Sequence, residues 1–178
     1  MSEKQRTISA PVSVSGKGLH TGVDVKVTFK PAPSGSGIKF QRTDLEGQPV
    51  IPAMCSNVID TNRGTTIGIN GARVGTVEHV MAALRGMEID NALVEIDNFE
   101  TPIKDGSAHF FTEALMKAGT VEQDEEKKYF TLDKVLTYSD PANKVELIAV
   151  PSDEFKVSVM INFETEVLKS AEPFLLDL

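Results

Sequence analysis

The chain has 178 residues, enough for one domain with a full hydrophobic core or for one small domain and part of another. Its 18 Lys and Arg residues against 26 Asp and Glu residues give a net charge of −8, which argues against a non-specific nucleic-acid-binding surface. An apolar fraction of 40% argues against a disordered chain.

Cysteine usage and hydropathy indicate the cell compartment. Cys55 is the only cysteine, so no disulfide can form within the chain, and we expect a buried small hydrophobic residue there. Residues 1–10 are charged and lack the apolar run of a signal peptide, and no later stretch approaches the ~20 apolar residues of a membrane helix. These features predict a cytoplasmic protein that does not span a membrane.

The first part of the chain is predicted to form strands. Residues 6–40 are strand-like, with clean alternation at 23–29, and a further strand at 37–41 follows a turn-rich connector. Between two of these strands, residues 16–22 place three glycines around His20. This composition is typical of a loop, either a flexible hairpin or a loop whose backbone can closely approach a ligand.

A hairpin and a helix follow. The Asn70-Gly71 pair predicts a tight turn between two short strands. The next apolar residues have helical spacing, so a helix is predicted with Thr76 as its N-cap and Gly86 as its stop.

A strand at 92–96 and a second helix complete this region, and Gly119 ends the helix. We expect its apolar side to contain Phe110, Phe111, Ala114, Leu115 and Ala118.

These elements predict an α+β fold. Strands outnumber helices, so residues 1–119 are predicted to form a first domain, a two-layer sandwich of helices on a mainly antiparallel sheet. The acidic residues 120–128 indicate an interdomain linker, with a solvated loop inside one domain as the alternative. Residues 129–178 then form the incomplete start of a second, similar domain, with strands at 129–138, 144–150 and 155–163.

Glu78 and His79 are the main candidates for chemistry. They lie in the first turn of the predicted helix, where both side chains can reach one cleft. Imidazole is a common zinc ligand, and a carboxylate beside it can take a proton from a zinc-bound water whose pKa has fallen to roughly 7. The alternative is an ordinary helix start, because the helix dipole favours Glu there and a His can pack or face water.

Four motifs, in residues 16–22, 76–79, 86–92 and 102–108, together resemble one enzyme family. The sequence is similar to the zinc-dependent UDP-3-O-acyl-N-acetylglucosamine deacetylases of lipid A biosynthesis. This resemblance implies a hydrolase that removes acetate from UDP-3-O-(hydroxyacyl)-N-acetylglucosamine. It also implies two α+β domains that face each other across the active site.

The resemblance assigns roles to five residues. Glu78 matches the general base of the family and His79 the zinc ligand from its first domain. His20 and Leu19 match a loop near the substrate. Phe163 matches a residue near the nucleotide, although an apolar residue that ends a strand is usually part of a core.

For two more polar residues, a structural role is an alternative to a role in the site. Asp105 matches a family motif, but it can also cap the second helix. His109, beside Phe110, fits a helix-end or packed position better than a metal ligand. A catalytic zinc usually takes three protein ligands and a water, so the remaining Zn²⁺ ligands are expected beyond residue 178, in a missing C-terminal half.

Two functions from different classes follow. The first is a zinc-dependent deacetylase that acts on a UDP-sugar acyl substrate and has no nucleic-acid partner. In this hypothesis the chain is a truncated N-terminal portion of the enzyme and is inactive alone. The second is a non-catalytic binding or regulatory module derived from the first domain.

Overall fold

The computed structural model describes residues 3–160 and 174–177, and the chain divides into unit 1 (Met1–Lys127) and unit 2 (Lys128–Leu178). The described residues of unit 1 form ten strands and two α-helices, which confirms the α+β class. In chain order the strands are β1 (Lys4–Ile8), β2 (Val12–Lys17), β3 (Asp24–Pro31), β4 (Ile38–Arg42), β5 (Val50–Pro52), β6 (Val58–Asp60), β7 (Thr66–Ile69), β8 (Ala72–Val74), β9 (Ala92–Ile96) and β10 (Thr120–Glu126). The helices are α1 (Glu78–Gly86) and α2 (His109–Ala118).

A five-stranded sheet in the order β2-β3-β9-β4-β5 forms the centre of unit 1. Its neighbouring strands are antiparallel except for β4 and β9, which run parallel. The predicted alternation in β3 is confirmed, since Val25, Val27 and Phe29 are buried. Phe29 meets Phe111 of α2 edge-on, with ring centroids 6.1 Å apart, so the sheet and the helix share one core.

Both helices bury one face at helical spacing. The buried residues of α1 include Val80 and Leu84, and those of α2 include Phe111 and Leu115. Gly119 ends α2 as predicted, with a φ of 74° that favours glycine. In the part of the chain that the structure describes, no helix has the length and apolar character needed to cross a membrane.

Two predicted core positions are wrong. Phe110 is 37% exposed, because it lies about 100° round the helix from Phe111, and its ring lies 5.3 Å from the Nζ of Lys104. Cys55 is exposed, since it begins a 3-10 turn, Cys55–Asn57, that buries none of its residues.

The hairpin predicted at Asn70-Gly71 is confirmed. Strands β7 and β8 pair antiparallel, and the two turn residues have φ values of 50° and 85°. Strand β6 pairs with β7 and completes a three-stranded sheet. This sheet leads directly into the segment that precedes α1.

The linker predicted at 120–128 is instead strand β10, which pairs antiparallel with β1. Two basic side chains of β1 contact this strand: Nη2 of Arg6 lies 3.6 Å from Oε1 of Glu122, and Nζ of Lys4 donates to the backbone carbonyl of Asp124 at 2.7 Å. An acidic run resembles a linker in composition, but charged side chains are also common on edge strands.

The described residues of unit 2 form two antiparallel pairs of strands. Their strands are β11 (Leu136–Asp140), β12 (Val145–Ala149), β13 (Lys156–Val159) and β14 (Phe174–Asp177). The strand predicted at 129–138 therefore begins only at residue 136. Large apolar side chains remain exposed here, including Phe130 at 90%.

Candidate functional site

Residues 99–103, here called the central segment, contact the glycine loop (residues 16–22). The N–H of Ile103 donates to the carbonyl of Lys17 at 2.9 Å. This bond attaches the end of β2, where the glycine loop begins, to the central segment.

The same segment also holds the chain that leads into α1. Gly75 donates its N–H to the carbonyl of Phe99 at 2.8 Å, and the N–H of Thr101 donates to the carbonyl of Gly75 at 3.1 Å. The glycine loop and the start of α1, two motifs far apart in the sequence, are therefore attached to one short segment.

Glu100 lies buried between these two attachments, with 2% of its surface exposed. The backbone N–H of His20 donates to Oε1 and Oε2 at 3.1 and 3.0 Å, and the N–H of Thr21 donates to Oε2 at 2.9 Å. The hydroxyl of Thr76 donates to Oε1 at 2.9 Å. Among the residues that the structure describes, no cation pairs with this carboxylate, so neutral donors stabilise its charge.

The hydrogen bonds keep Glu100 ionised at neutral pH. Burial raises the pKa of the carboxyl, but the donors from His20, Thr21 and Thr76 outweigh burial and hold the pKa below its ordinary value of 4.5. Gly18 makes room for the carboxylate, because a Cβ at this position would lie 2.5 Å from Oε2 of Glu100. One glycine of the loop motif is thus required by packing.

Thr76 has a left-handed backbone, with a φ of 56°, which is strained for a β-branched residue. Its hydroxyl donates to Glu100, and its carbonyl accepts a hydrogen bond from the hydroxyl of Thr101. The predicted N-cap role is wrong: the cap position of α1 is Val77. A bond to a buried carboxylate is charge-assisted, whereas a cap would accept from a neutral N–H.

Glu78 and His79 lie in the first turn of α1, as predicted, and both are half-buried. The Oε2 of Glu78 accepts a hydrogen bond from the N–H of Thr65 at 3.0 Å. A Cβ at Gly64 would lie 3.3 Å from Oε1, so a larger residue at this position would crowd the carboxylate. Within residues 3–160, no hydrogen-bond partner engages the ring of His79, whose nitrogens can therefore bind a ligand.

His20 is connected to Glu78 through residues 63–65. Its ring is exposed, and Nε2 lies 3.1 Å from the carbonyl oxygen of Arg63. A carbonyl only accepts, so Nε2 carries the hydrogen and Nδ1 of the neutral ring remains an acceptor. The structure thus places the glycine loop beside the segment that holds the carboxylate of Glu78.

The other predicted residues lie in different surroundings. Leu19 is 55% exposed in the glycine loop. Asp105 accepts hydrogen bonds from the hydroxyl and N–H of Ser107, at 2.8 and 3.0 Å, and these bonds lower its pKa. It does not cap α2, because Ser107 is nearer and accepts the N–H of His109 at 3.1 Å.

The Nε2 of His109 lies 3.7 Å from Oε1 of Glu113 on the exposed face of α2. Phe163 lies outside the described residues.

The donor set fits part of a metal site. Across residues 3–160 and 174–177, no group of three His, Cys, Asp or Glu side chains is arranged to hold a metal ion. His79 could supply one imidazole ligand, and Glu78 could act as a base beside it. A catalytic zinc would require further ligands.

Glu100 and Thr101 are absent from the sequence-based prediction of the site. Neither belongs to a recognisable spacing pattern, and a Glu between Phe99 and a Thr gives no sign that it is buried. The available signal was position, because both residues directly precede the motif at 102–108.

Residues 5–176 match the family model described as UDP-3-O-acyl N-acetylglycosamine deacetylase. The chain is 45% identical over 174 residues to the bifunctional enzyme LpxC/FabZ of Chlorobaculum tepidum, with 98% of this chain and 37% of that protein covered. It is 45% identical over 168 residues to the UDP-3-O-acyl-N-acetylglucosamine deacetylase of Myxococcus xanthus, covering 94% of this chain and 53% of that enzyme. For the Saccharophagus degradans deacetylase, identity is 42% over 166 residues, and the coverages are 93% and 54%. The chain thus spans about half the length of these deacetylases.

Proposed function

Because the chain belongs to the UDP-3-O-acyl N-acetylglycosamine deacetylase family, we propose that the protein removes acetate from UDP-3-O-(hydroxyacyl)-N-acetylglucosamine in lipid A biosynthesis, with Zn²⁺ as cofactor. The observation that carries this proposal is the Glu78-His79 pair at the start of α1. Its carboxylate is held by a backbone N–H, and its imidazole has no hydrogen-bond partner among the described residues.

His79 would bind the zinc through one ring nitrogen, and the further ligands would come from outside unit 1. When bound, zinc supplies a Lewis acid that polarises the acetamide carbonyl and acidifies a water. The hydrogen bond from Thr65 fixes the orientation of the Glu78 carboxylate. The opposite oxygen, Oε1, would take the proton from the attacking water, since glycine at position 64 places no side chain against it. The same carboxyl then returns a proton to the departing amine.

The glycine loop would form part of the substrate site. The Nδ1 of His20 can accept a hydrogen bond from a sugar hydroxyl, since Nε2 is directed to Arg63. Leu19 offers an exposed apolar side chain beside it. Phe163 and Asp105 are assigned to the site by family resemblance, at the nucleotide and in the motif at 102–108 respectively.

We also propose the finer features of the fold and the compartment. The contact between Phe29 and Phe111 supports a two-layer sandwich of helices on a sheet. The paired strands of unit 2 support the start of a second, similar domain. The single cysteine, which leaves no intrachain disulfide, supports a cytoplasmic protein.

Glu78→Gln, made in the complete protein that carries the further zinc ligands, tests the role of the base. The amide keeps the size of the side chain and can still accept from Thr65, but it cannot take a proton, so kcat should fall by roughly 10²–10⁴-fold with zinc retained. The measurement is acetate release from the UDP-sugar substrate, together with metal analysis. His79→Ala should instead lower the zinc content after dialysis.

Glu113→Gln, on the exposed face of α2, is the matched control and should behave as wild type. Near-normal turnover of Glu78→Gln with zinc bound would reject Glu78 as the base. Unchanged zinc affinity in His79→Ala would place the ligand elsewhere.

A further inference from the structure

We propose that Glu100 is a positioning residue, whose buried carboxylate fixes the glycine loop relative to the start of α1 and thereby orients the carboxylate of Glu78. The activity readout of this inference rests on the proposed function, since it takes Glu78 as the base. Its structural readout does not, because it concerns hydrogen bonds within the described residues alone.

The first of two arms that connect Glu100 to Glu78 runs through the glycine loop. Glu100 holds the backbone N–H of His20, at 3.1 and 3.0 Å from its two oxygens. The ring of the same His20 donates to the carbonyl of Arg63 at 3.1 Å. A movement of the loop away from Glu100 therefore moves the ring that anchors residues 63–65.

The second arm runs through the chain that enters α1. Glu100 accepts the hydroxyl hydrogen of Thr76, two residues before Glu78. The carboxylate of Glu78 in turn accepts the N–H of Thr65 at 3.0 Å. The two arms meet at residues 63–65. The hydrogen bonds and the backbone between them therefore form a closed cycle, in which Glu100 and Glu78 lie on opposite sides.

The strained backbone of Thr76 supports a positioning role. A β-branched residue with a φ of 56° persists only where its surroundings hold it. Here Glu100 binds its hydroxyl and Thr101 binds its carbonyl. The central segment thus holds the residue that sets the direction of the chain into α1.

A charged carboxylate is required at this position. Both oxygens of Glu100 accept from N–H donors, and Oε2 accepts from His20 and Thr21. In Glu100→Gln, one oxygen becomes an NH₂ group that cannot accept. Either the loop or Thr76 must then lose its hydrogen bond, although the side chain keeps its size.

The first experiment compares wild type and Glu100→Gln by ¹H–¹⁵N spectra of the backbone and of the imidazole rings. We expect the N–H of Thr65 and the ring nitrogens of His20 to shift, although the carboxylate of Glu100 bonds to neither. Signals of the β3 core, such as that of Val27, should stay in place. If only the amides of His20 and Thr21 shift, Glu100 acts locally and the inference is overturned.

The second experiment measures turnover of the complete, zinc-loaded protein, which carries the further zinc ligands. Glu100→Gln should lower kcat by roughly 10–100-fold with KM and zinc content nearly unchanged, because a misplaced base costs rate more than binding. Glu95→Gln is the matched control: its carboxylate pairs with Lys30 at 2.6 Å on the central sheet, and its kcat should remain that of wild type. An unchanged kcat for Glu100→Gln would overturn the inference.

If Glu100→Gln fails to fold, two variants of Thr76 test the same cycle of hydrogen bonds. Thr76→Val removes the hydroxyl but keeps the β-branched shape, whereas Thr76→Ser keeps the hydroxyl. We expect the His20 ring signal to shift in Thr76→Val and to return towards wild type in Thr76→Ser. Equal spectra for both variants would overturn the inference. If instead Glu78→Gln retains turnover, the proposed base is wrong, and the spectra alone decide the role of Glu100.

Discussion

Unit 1 contains two buried regions of opposite character, the apolar core around Phe29 and the polar network around Glu100. Phe29 and Phe111 are held by removal of apolar surface from water, which has no preferred direction and does not depend on pH. Glu100 and Thr76 are held by hydrogen bonds to a charge, which depend on distance, angle and ionisation. The first region stabilises the fold, whereas the second connects the glycine loop to the start of α1.

The largest expected effect falls on the apolar core. Phe29→Ala should lower the free energy of unfolding by about 3–5 kcal/mol, because it leaves a cavity against Phe111. Urea denaturation at two pH values should give the same loss, since no ionisable group is involved. Phe130→Ala, at a position 90% exposed in unit 2, is the control and should stay within ~0.5 kcal/mol. A pH-dependent loss for Phe29→Ala would show that the stability of the apolar core depends on an ionisable group.

Glu100→Gln should destabilise unit 1 by about 1.5–3 kcal/mol at pH 7, and the loss should depend on pH. The folded pKa of Glu100 is lowered, so its contribution is present above the unfolded pKa, near 4.5, and disappears as pH falls through the folded pKa. Wild type should therefore lose stability faster than the variant on acidification below about pH 4.5.

The matching control is Glu95→Gln, whose carboxylate is paired with Lys30 at the sheet surface. Denaturation curves for the three proteins across the acid range provide the measurement. Parallel curves for wild type and Glu100→Gln would show that the network does not depend on the charge of Glu100.

The smallest effects concern two glycines, with opposite signs. Gly18→Ala should cost about 1–3 kcal/mol, since its Cβ would lie 2.5 Å from Oε2 of Glu100. Gly86→Ala, at the last residue of α1, should stabilise by about 0.4–1 kcal/mol, because the added Cβ would meet no atom within 4 Å beyond its own helix backbone and chain neighbours. Thermal unfolding measures both. A neutral Gly18→Ala would show that the Glu100 network can make room for an added methyl group.

Local patterns predicted the apolar core and most of the elements around it. Alternation predicts the buried face of β3, and the Asn70-Gly71 pair predicts a turn. Both predictions are confirmed, because these features depend only on residues close in sequence. The acidic residues of β10 were misread because composition does not show which strand satisfies the backbone.

The polar network could not be predicted in the same way. Glu100 lies 80 residues from His20 and 24 residues from Thr76, and hydrogen bonds over such separations leave no periodic pattern. The place of Glu78 and His79 at the start of α1 follows from local helical spacing, whereas their role is predicted by family resemblance. Thr76 is predicted to cap α1. In the structure it does precede the helix, but its hydroxyl donates to Glu100 instead.

The pairing of β1 with β10 has a consequence for how unit 1 can be joined to other sequences. Lys4 lies opposite Glu126 in this pair, and the N–H of Lys127 donates to the carbonyl of Glu3 at 2.8 Å. Both ends of the unit therefore leave it at the same edge. Such a module can be inserted between neighbouring positions of a host chain, or circularly permuted through a short connection, without crossing its own interior.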